Sequence, residues 1–528
     1  MMIRTPRRPL LLALLSGLAL HGCRPPSSGV AFADLETRGE RSGWIETSSH
    51  DDVMDFLRVA DAFSDRAHLV TMGHTSEGRA IPLLVIGEVE DGSPEAVRAS
   101  GKVRVYLQGD IHGGEVPGKE ALQILVRDLL TGETTDWTDA LVLLVNPLYN
   151  ADGNARVALD NRPRQHGPIG GMGQRPNAQG YDLNRDHMKL DSPEARSFVS
   201  MLNAYDPEVG VDLHTTNGTR HAYHLTYSPP LHPGTAPEIN EILRGTAFPA
   251  ITERIREADG WEFYYYGNAG RRNGELAWST FDHRPRFNNN YLGLRNRVAI
   301  LSEAYAYLTY EDRVRATYRF VEEILDWARD DAAAIREVVA AADAPVVGRT
   351  LPTRAVPEPS DSLVEILMGD VVEEPHPYTG ATILRRVDVV TPTPMREYGS
   401  FMASDSEVVP AVYQIPPDAE VILDRLRAHG IEMTALTEPR TVEGEVFVLD
   451  GLEIAERPFQ GHREHTLSGV WRPSTLELPA GTREVRVDQP LGRLAFYLLE
   501  PRSDDGLATW GLIPGLEVGE RYPVTRRR

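Results

Sequence analysis

Apolar residues fall into four short, nearly continuous runs in the first two-thirds of the chain: 103–107, 140–145, 209–213 and 298–301. Each is rich in valine, isoleucine or leucine and lacks polar alternation, the pattern of a strand covered on both faces. A different period lies between the first two. Apolar side chains at 121, 122, 125, 126, 129 and 130 put a helical face over 118–130. Strand, helix, strand predicts a parallel crossover. The alternation continues to about residue 331 and predicts an α/β fold, with a mixed, largely parallel central sheet flanked by helices. Residues 311–342 read as a long helix closing this domain.

Residues 343–360 are rich in proline, lack a period and read as a linker. Beyond it, 361–528 carries strand-like pieces at 411–415, 444–449 and 493–499 and one helical period at 418–428. The expected architecture is a main domain over 51–342, a linker, and a smaller β-rich C-terminal domain of unassigned role. Residues 24–50 form a tether and N-terminal segment.

Composition narrows the class. The 528 residues are 41% hydrophobic and 25% charged, which excludes a disordered chain or a collagen. A net charge of −22 excludes nothing about the fold but argues against nucleic acid as a partner. The one cysteine, Cys23, leaves no intrachain disulfide, thiolate zinc cage or iron–sulfur cluster. Arg4, Arg7 and Arg8 precede an apolar run over 10–20 that is too short to span a bilayer. It ends in Leu20-His21-Gly22-Cys23, which resembles a bacterial lipobox. That resemblance implies a signal segment over 1–23, export to the cell envelope or periplasm, and a lipid anchor on Cys23. Soluble secretion is the alternative. No later run reaches the roughly 18 apolar residues of a membrane span.

Candidate chemistry gathers where the predicted strands end. The 103–107 run leads into Gly109-Asp110-Ile111-His112-Gly113-Gly114-Glu115, a Gly-rich turn that presents an imidazole and a carboxylate three residues apart. Both reach one zinc from such a turn. The same spacing at His74 and Glu77 sits in a polar hairpin-like context and reads as a turn. His214 follows the 209–213 run, and Glu303 follows 298–301. Open α/β sheets place ligands at these carboxyl ends. Two histidines and a glutamate leave a fourth zinc position for water, and Glu303 is placed to move a proton. The loop from Gly173 to Asp186 adds Arg175, suited to an oxyanion, and Asn184 with Arg185, suited to a carboxylate.

The order His112-x-x-Glu115, Asn150-Ala151-Asp152-Gly153, Asp182-Leu183-Asn184-Arg185, His214 and Glu303 resembles the zinc metallocarboxypeptidases of the A/B and N/E types, nearest the N/E branch. The likeness covers roughly residues 50–330. It implies one zinc held by His112, Glu115 and His214. Glu303 would be the general acid/base, Arg175 would hold the oxyanion, and Asn184 and Arg185 would bind the C-terminal carboxylate of a peptide. The family's mobile tyrosine has no match at its expected position, where Phe281 stands; Tyr291 is the nearest candidate to bind substrate in its place. Asp282, Arg284 and Arg286 fall where the family lines its specificity pocket, and two arginines against one aspartate favour an acidic or polar side chain. Three other readings stay open: an amidase of cell-wall peptides, an acylase of N-acyl amino acids, and an inactive zinc-fold binding module.

Overall fold

The structure, a computed structural model, describes residues 35–528; the expected signal segment with Cys23 lies outside them. Among the described residues up to 304 lie ten strands: β1 (Ala67–His74), β2 (Ala80–Ile86), β3 (Val103–Gly109), β4 (Leu141–Asn146), β5 (Val209–Thr215), β6 (Leu225–Ser228), β7 (Phe263–Tyr265), β8 (Asn268–Arg272), β9 (Glu275–Ser279) and β10 (Val298–Ala304). Eight of them make one sheet in the order β1-β2-β4-β3-β5-β10-β6-β7. Its centre, β4-β3-β5-β10, is parallel throughout. The joins β1-β2, β2-β4 and β10-β6 are antiparallel. The four predicted runs are the four central strands, because only strands with helices on both faces can be apolar at every position.

Alternation divides these strands between two cores. Val103, Val105 and Leu107 pack under the helices Pro117–Thr131 and Tyr310–Asp330, while Tyr106, Val142 and Leu144 point to the opposite face. The helix Pro117–Thr131 has proline in its first turn and ends on Gly132 in the left-handed conformation (φ 79°), which spares a side chain the clash. The long helix expected over 311–342 is two, Tyr310–Asp330 and Ala332–Ala342, broken at Asp331.

The C-terminal region is β-rich, with β11 (Thr350–Glu358), β12 (Leu363–Pro375), β13 (Thr382–Tyr398), β14 (Ser400–Val408), β15 (Val412–Ile415), β16 (Thr434–Ala435), β17 (Arg440–Ile454), β18 (His465–Leu478), β19 (Arg483–Arg486) and β20 (Arg521–Arg527). Three expectations change here. Within the expected linker 343–360 lies β11, whose Pro352 and Pro357 are tolerated because it pairs on one side only, with β14. The expected strand at 493–499 is the helix Gly492–Leu499, buried at every position, and a short run buried all round carries no period to tell helix from strand. The region is also not a detached unit. β13 continues the β8-β9 hairpin into a four-stranded sheet, β12-β13-β9-β8, and Tyr413, Phe447 and Trp510 share one core with Tyr106 and Leu144 of the central sheet.

Candidate metal centre and substrate cleft

The turn after β3 is held by a bond from the Glu115 amide to the His112 carbonyl (2.8 Å). Its glycines are demanded by packing. A Cβ on Gly113 would lie 2.3 Å from the Gly153 carbonyl carbon, and one on Gly114 would lie 2.3 Å from the Gly173 oxygen. Asn150 ties the surrounding loops together, donating to the carbonyls of Ile111 (3.2 Å) and Arg175 (3.3 Å).

β5 and β10 are adjacent and parallel, so Glu303 stands in register with His214. One donor atom from each of His112, Glu115 and His214 lies within 4.8 Å of the others, and all three residues are buried. His112 Nδ1 is 3.0 Å from Glu115 Oε1, and His214 Nδ1 is 2.8 Å from Glu115 Oε2. Tetrahedral ligands about 2.0–2.3 Å from zinc sit a little over 3 Å apart, so the spacing suits zinc. The far nitrogens are already committed. His112 Nε2 donates to Asp182 (3.0 Å) and His214 Nε2 to Asp212 (2.8 Å). These carboxylates orient the two rings so that each Nδ1 faces Glu115, with His214 Nδ1 hydrogen-bonded to Oε2 (2.8 Å). His112 Nδ1 is buried without a hydrogen-bond partner, and so is Glu303 Oε2. A buried imidazole nitrogen and a buried carboxylate oxygen without partners, both lining one cleft, suit a cation, so the donor set fits zinc.

Electrostatics are set by burial and close charges. Against burial, His112 and Arg175 hold Asp182 well below the usual carboxylate range. Burial pushes Glu303 up to about 8, with His214 opposing and Glu115 adding to the rise. That describes a carboxyl in a dry pocket beside another carboxylate; a divalent cation alongside would pull it down.

The cleft around this cluster has a volume of ≈ 200 Å³ and is lined by Glu303, Arg175, Asn184 and Arg185. Arg175 grips Asp182 through Nε (3.0 Å) and Nη2 (2.9 Å), with Nη1 3.6 Å from Glu115 Oε1. Arg185 lies over the Phe287 ring (3.8 Å) and donates to the Asn184 carbonyl (2.6 Å). Asn184 Oδ1 is fixed by the Asn288 amide (2.8 Å).

Two sequence expectations fail here. Tyr291 is fully buried, and its hydroxyl bonds to His429 Nδ1 (2.7 Å), away from the cleft. The helix Asn288–Leu294 turns this position into the core. Asp282, Arg284 and Arg286 do not line the metal-site cleft either. Arg284 is paired with Asp282, and buried Arg286 with Asp505 and Glu464. Two cleft residues were missed. Tyr266 faces the site with its hydroxyl held by Asn217 (3.2 Å), and burial and the Glu303 charge raise its phenol. It ends the run Phe263-Tyr264-Tyr265-Tyr266, where nothing in the pattern singles out one tyrosine. Arg162, from a loop without motif, places Nη1 2.9 Å from Glu115 Oε1. His74 and Glu77 take the expected hairpin place: His74 ends β1, and Glu77 pairs with Arg79 and Arg156.

Residues 53–247 match the family described as zinc carboxypeptidase. The chain is 25% identical over 536 aligned residues to carboxypeptidase 2 of Trichophyton equinum, covering 96% of this chain and 92% of that one. It is 24% identical to carboxypeptidase 2 of Trichophyton rubrum over the same shares. Among solved structures, a metallo-carboxypeptidase from Burkholderia cenocepacia aligns over 54% of this chain and 69% of its own, with 19% identity and a TM-score of 0.39.

Proposed function

Because residues 53–247 match the zinc carboxypeptidase family, we propose that this enzyme hydrolyses the C-terminal peptide bond of peptides, with the roles divided among the cleft residues. His112, Glu115 and His214 hold the zinc, which when bound supplies Lewis acidity. Glu303, through Oε2, takes a proton from the attacking water and returns it to the leaving amine. Arg175 turns its N–H groups to the carbonyl oxygen as that oxygen gains charge; one such donor is typically worth about 3–4 kcal/mol. The Asn184 amide and the Arg185 guanidinium take the terminal carboxylate. Tyr266 stands where a phenol can bond the same substrate amide.

One observation carries this reading. A buried three-donor cluster, a carboxylate beside it and a carboxylate clamp share a single cleft. The clamp is suited to a free α-carboxylate, the group that a peptide's C-terminus presents. The test is release of the last residue from a mixed peptide library by the purified, zinc-loaded protein. We expect Glu303→Gln to keep stoichiometric zinc and lose at least about a thousandfold in kcat, the scale of a lost proton-transfer group. Near-wild-type turnover in that variant would remove Glu303 from its role.

The leader residues support export to the bacterial envelope with a lipid on Cys23. Labelling of cells with a fatty acid, lost in Cys23→Ser, is the expected result; labelling unchanged by that substitution refutes the anchor.

A further inference from the structure

Three polar side chains interrupt the apolar interior of the central sheet. Asn146 of β4, Gln108 of β3 and Asp212 of β5 are cross-strand neighbours, Gln108 pairing with both, and none is more than 2% exposed. They form one row across three parallel strands, two residues before His214 on β5. Tyr106 stands two residues before Gln108 on the same strand, buried against Phe198. Val142 and Leu144 fill the same face of β4, and Leu301 of β10 ends the row beside Asp212. Apolar side chains therefore suit these positions, and the strands would form without the polar ones. None of the four lines the metal-site cleft, so contact with substrate does not account for them either.

Their hydrogen bonds run in one direction. Asn146 Oδ1 accepts the Leu148 amide (3.1 Å), which turns the Asn146 NH2 to the Tyr106 hydroxyl (3.1 Å). Tyr106 donates to Gln108 Oε1 (2.8 Å), and Gln108 Nε2 donates to Asp212 Oδ1 (3.0 Å). The other carboxylate oxygen, Asp212 Oδ2, lies 2.8 Å from His214 Nε2. A carboxylate offers only acceptors, so Gln108 must give it the NH2 and keep its own oxygen for the tyrosine. A flipped Gln108 would set its oxygen against that of Asp212. The Leu148 amide fixes the far end in the same sense. Each bond polarises the next, and all of them converge on the carboxylate behind one metal ligand.

We propose that Gln108 and Tyr106 are positioning residues for the zinc ligand His214: they clamp the Asp212 carboxylate in the orientation that fixes the imidazole. Zinc affinity then depends on side chains that touch neither metal nor substrate. The inference rests on the metal-site reading above and on no property of the substrate.

Zinc affinity of the purified full chain, read by competition with a chromophoric chelator, tests it, with a thermal melt of each variant alongside. Gln108→Met is expected to raise the dissociation constant at least about tenfold, and Tyr106→Phe, one bond further off, at least about twofold. Tyr291→Phe is the control. It too removes a buried phenol bond from the same core, but one that leads to His429 and not to a metal ligand. It is expected to lower the melting temperature and leave the dissociation constant unchanged. A double-mutant cycle reads the route: on an Asp212→Ala background, Gln108→Met is expected to weaken zinc by less than about twofold more. Equal loss of zinc in Tyr106→Phe and Tyr291→Phe, unchanged affinity in Tyr106→Phe, or full additivity in the cycle overturns the inference. If Gln108→Met does not fold, the two tyrosine variants decide it alone. A wild-type chain that takes up no zinc fails the metal-site reading and takes this inference with it.

Discussion

Gly114 shows how single atoms decide this site. It has no φ that demands glycine; what it lacks is room, since a Cβ would meet the Gly173 oxygen and come within 2.9 Å of Arg162 Nε. Backbone cannot yield cheaply in a close-packed interior. Gly114→Ala should therefore displace Glu115, with zinc lost on mild dialysis while wild type retains it; metal content by atomic emission checks this. The two tyrosines separate packing from function in the same way. Tyr291→Phe removes a buried bond to His429, should cost about 1 kcal/mol in urea unfolding, and should leave kcat/KM unchanged. Tyr266→Phe should do the reverse, with stability kept and kcat/KM lowered. If Tyr291→Phe alone impaired turnover, the assignment of these two residues would be inverted. Their neighbours in sequence could not place them, because Tyr291 follows three asparagines and yet is buried, while Tyr266 follows three aromatics and lines the cleft; only the turn of their elements directs one into the core and the other into the cleft.

At the scale of elements, the loop joining β17 to β18 acts on the site without touching substrate. Gln460 accepts the Asp182 amide (2.8 Å), His462 Nε2 meets Asp191 (2.6 Å), and Glu464 meets Arg286. Asp182 in turn holds His112 and Arg175. Gln460 is thus a positioning residue for both a metal ligand and the oxyanion arginine. Gln460→Ala should weaken zinc binding, read by chelator competition, about tenfold, at the low end for residues behind a metal ligand. Gln460→Glu, which still accepts the bond, should recover most of that loss. A purely structural loop would shift the melting temperature in both variants and the zinc affinity in neither. This loop was not legible beforehand: residues 455–464 carry no motif, and their effect comes from a bond spanning 278 positions.

At the scale of the molecule, charged pairs join the two parts of the chain around their shared core. Against burial, His462 and Lys189 hold Asp191 down to about 2, and against burial His283 and Tyr497 hold Asp504 down to about 2. An unfolded aspartate titrates near 3.9. Folding thus favours the charged form of both groups: the stability they add is complete above about pH 4 and is lost as pH falls toward 2. The urea midpoint followed by tryptophan fluorescence should drop across that window, and drop less in Asp504→Asn. A midpoint with the same pH dependence in variant and wild type would show that Asp504 does not link folding to protons here.

The sequence by itself determined the central strands, the helix Pro117–Thr131 and the order of metal-site and clamp motifs. Each of these depends on local periodicity, or on a turn that carries its own ligands to a strand's end. Tertiary structure decided the rest. It placed Tyr266 and Arg162 in the cleft and withdrew Tyr291, Arg284 and Arg286 from it. It turned residues 492–499 into a helix and fused the C-terminal region to the catalytic core. The reason is physical: a side chain's surroundings depend on what packs against its element from far along the chain, and buried runs, aromatic clusters and loop arginines look alike until that partner is in place.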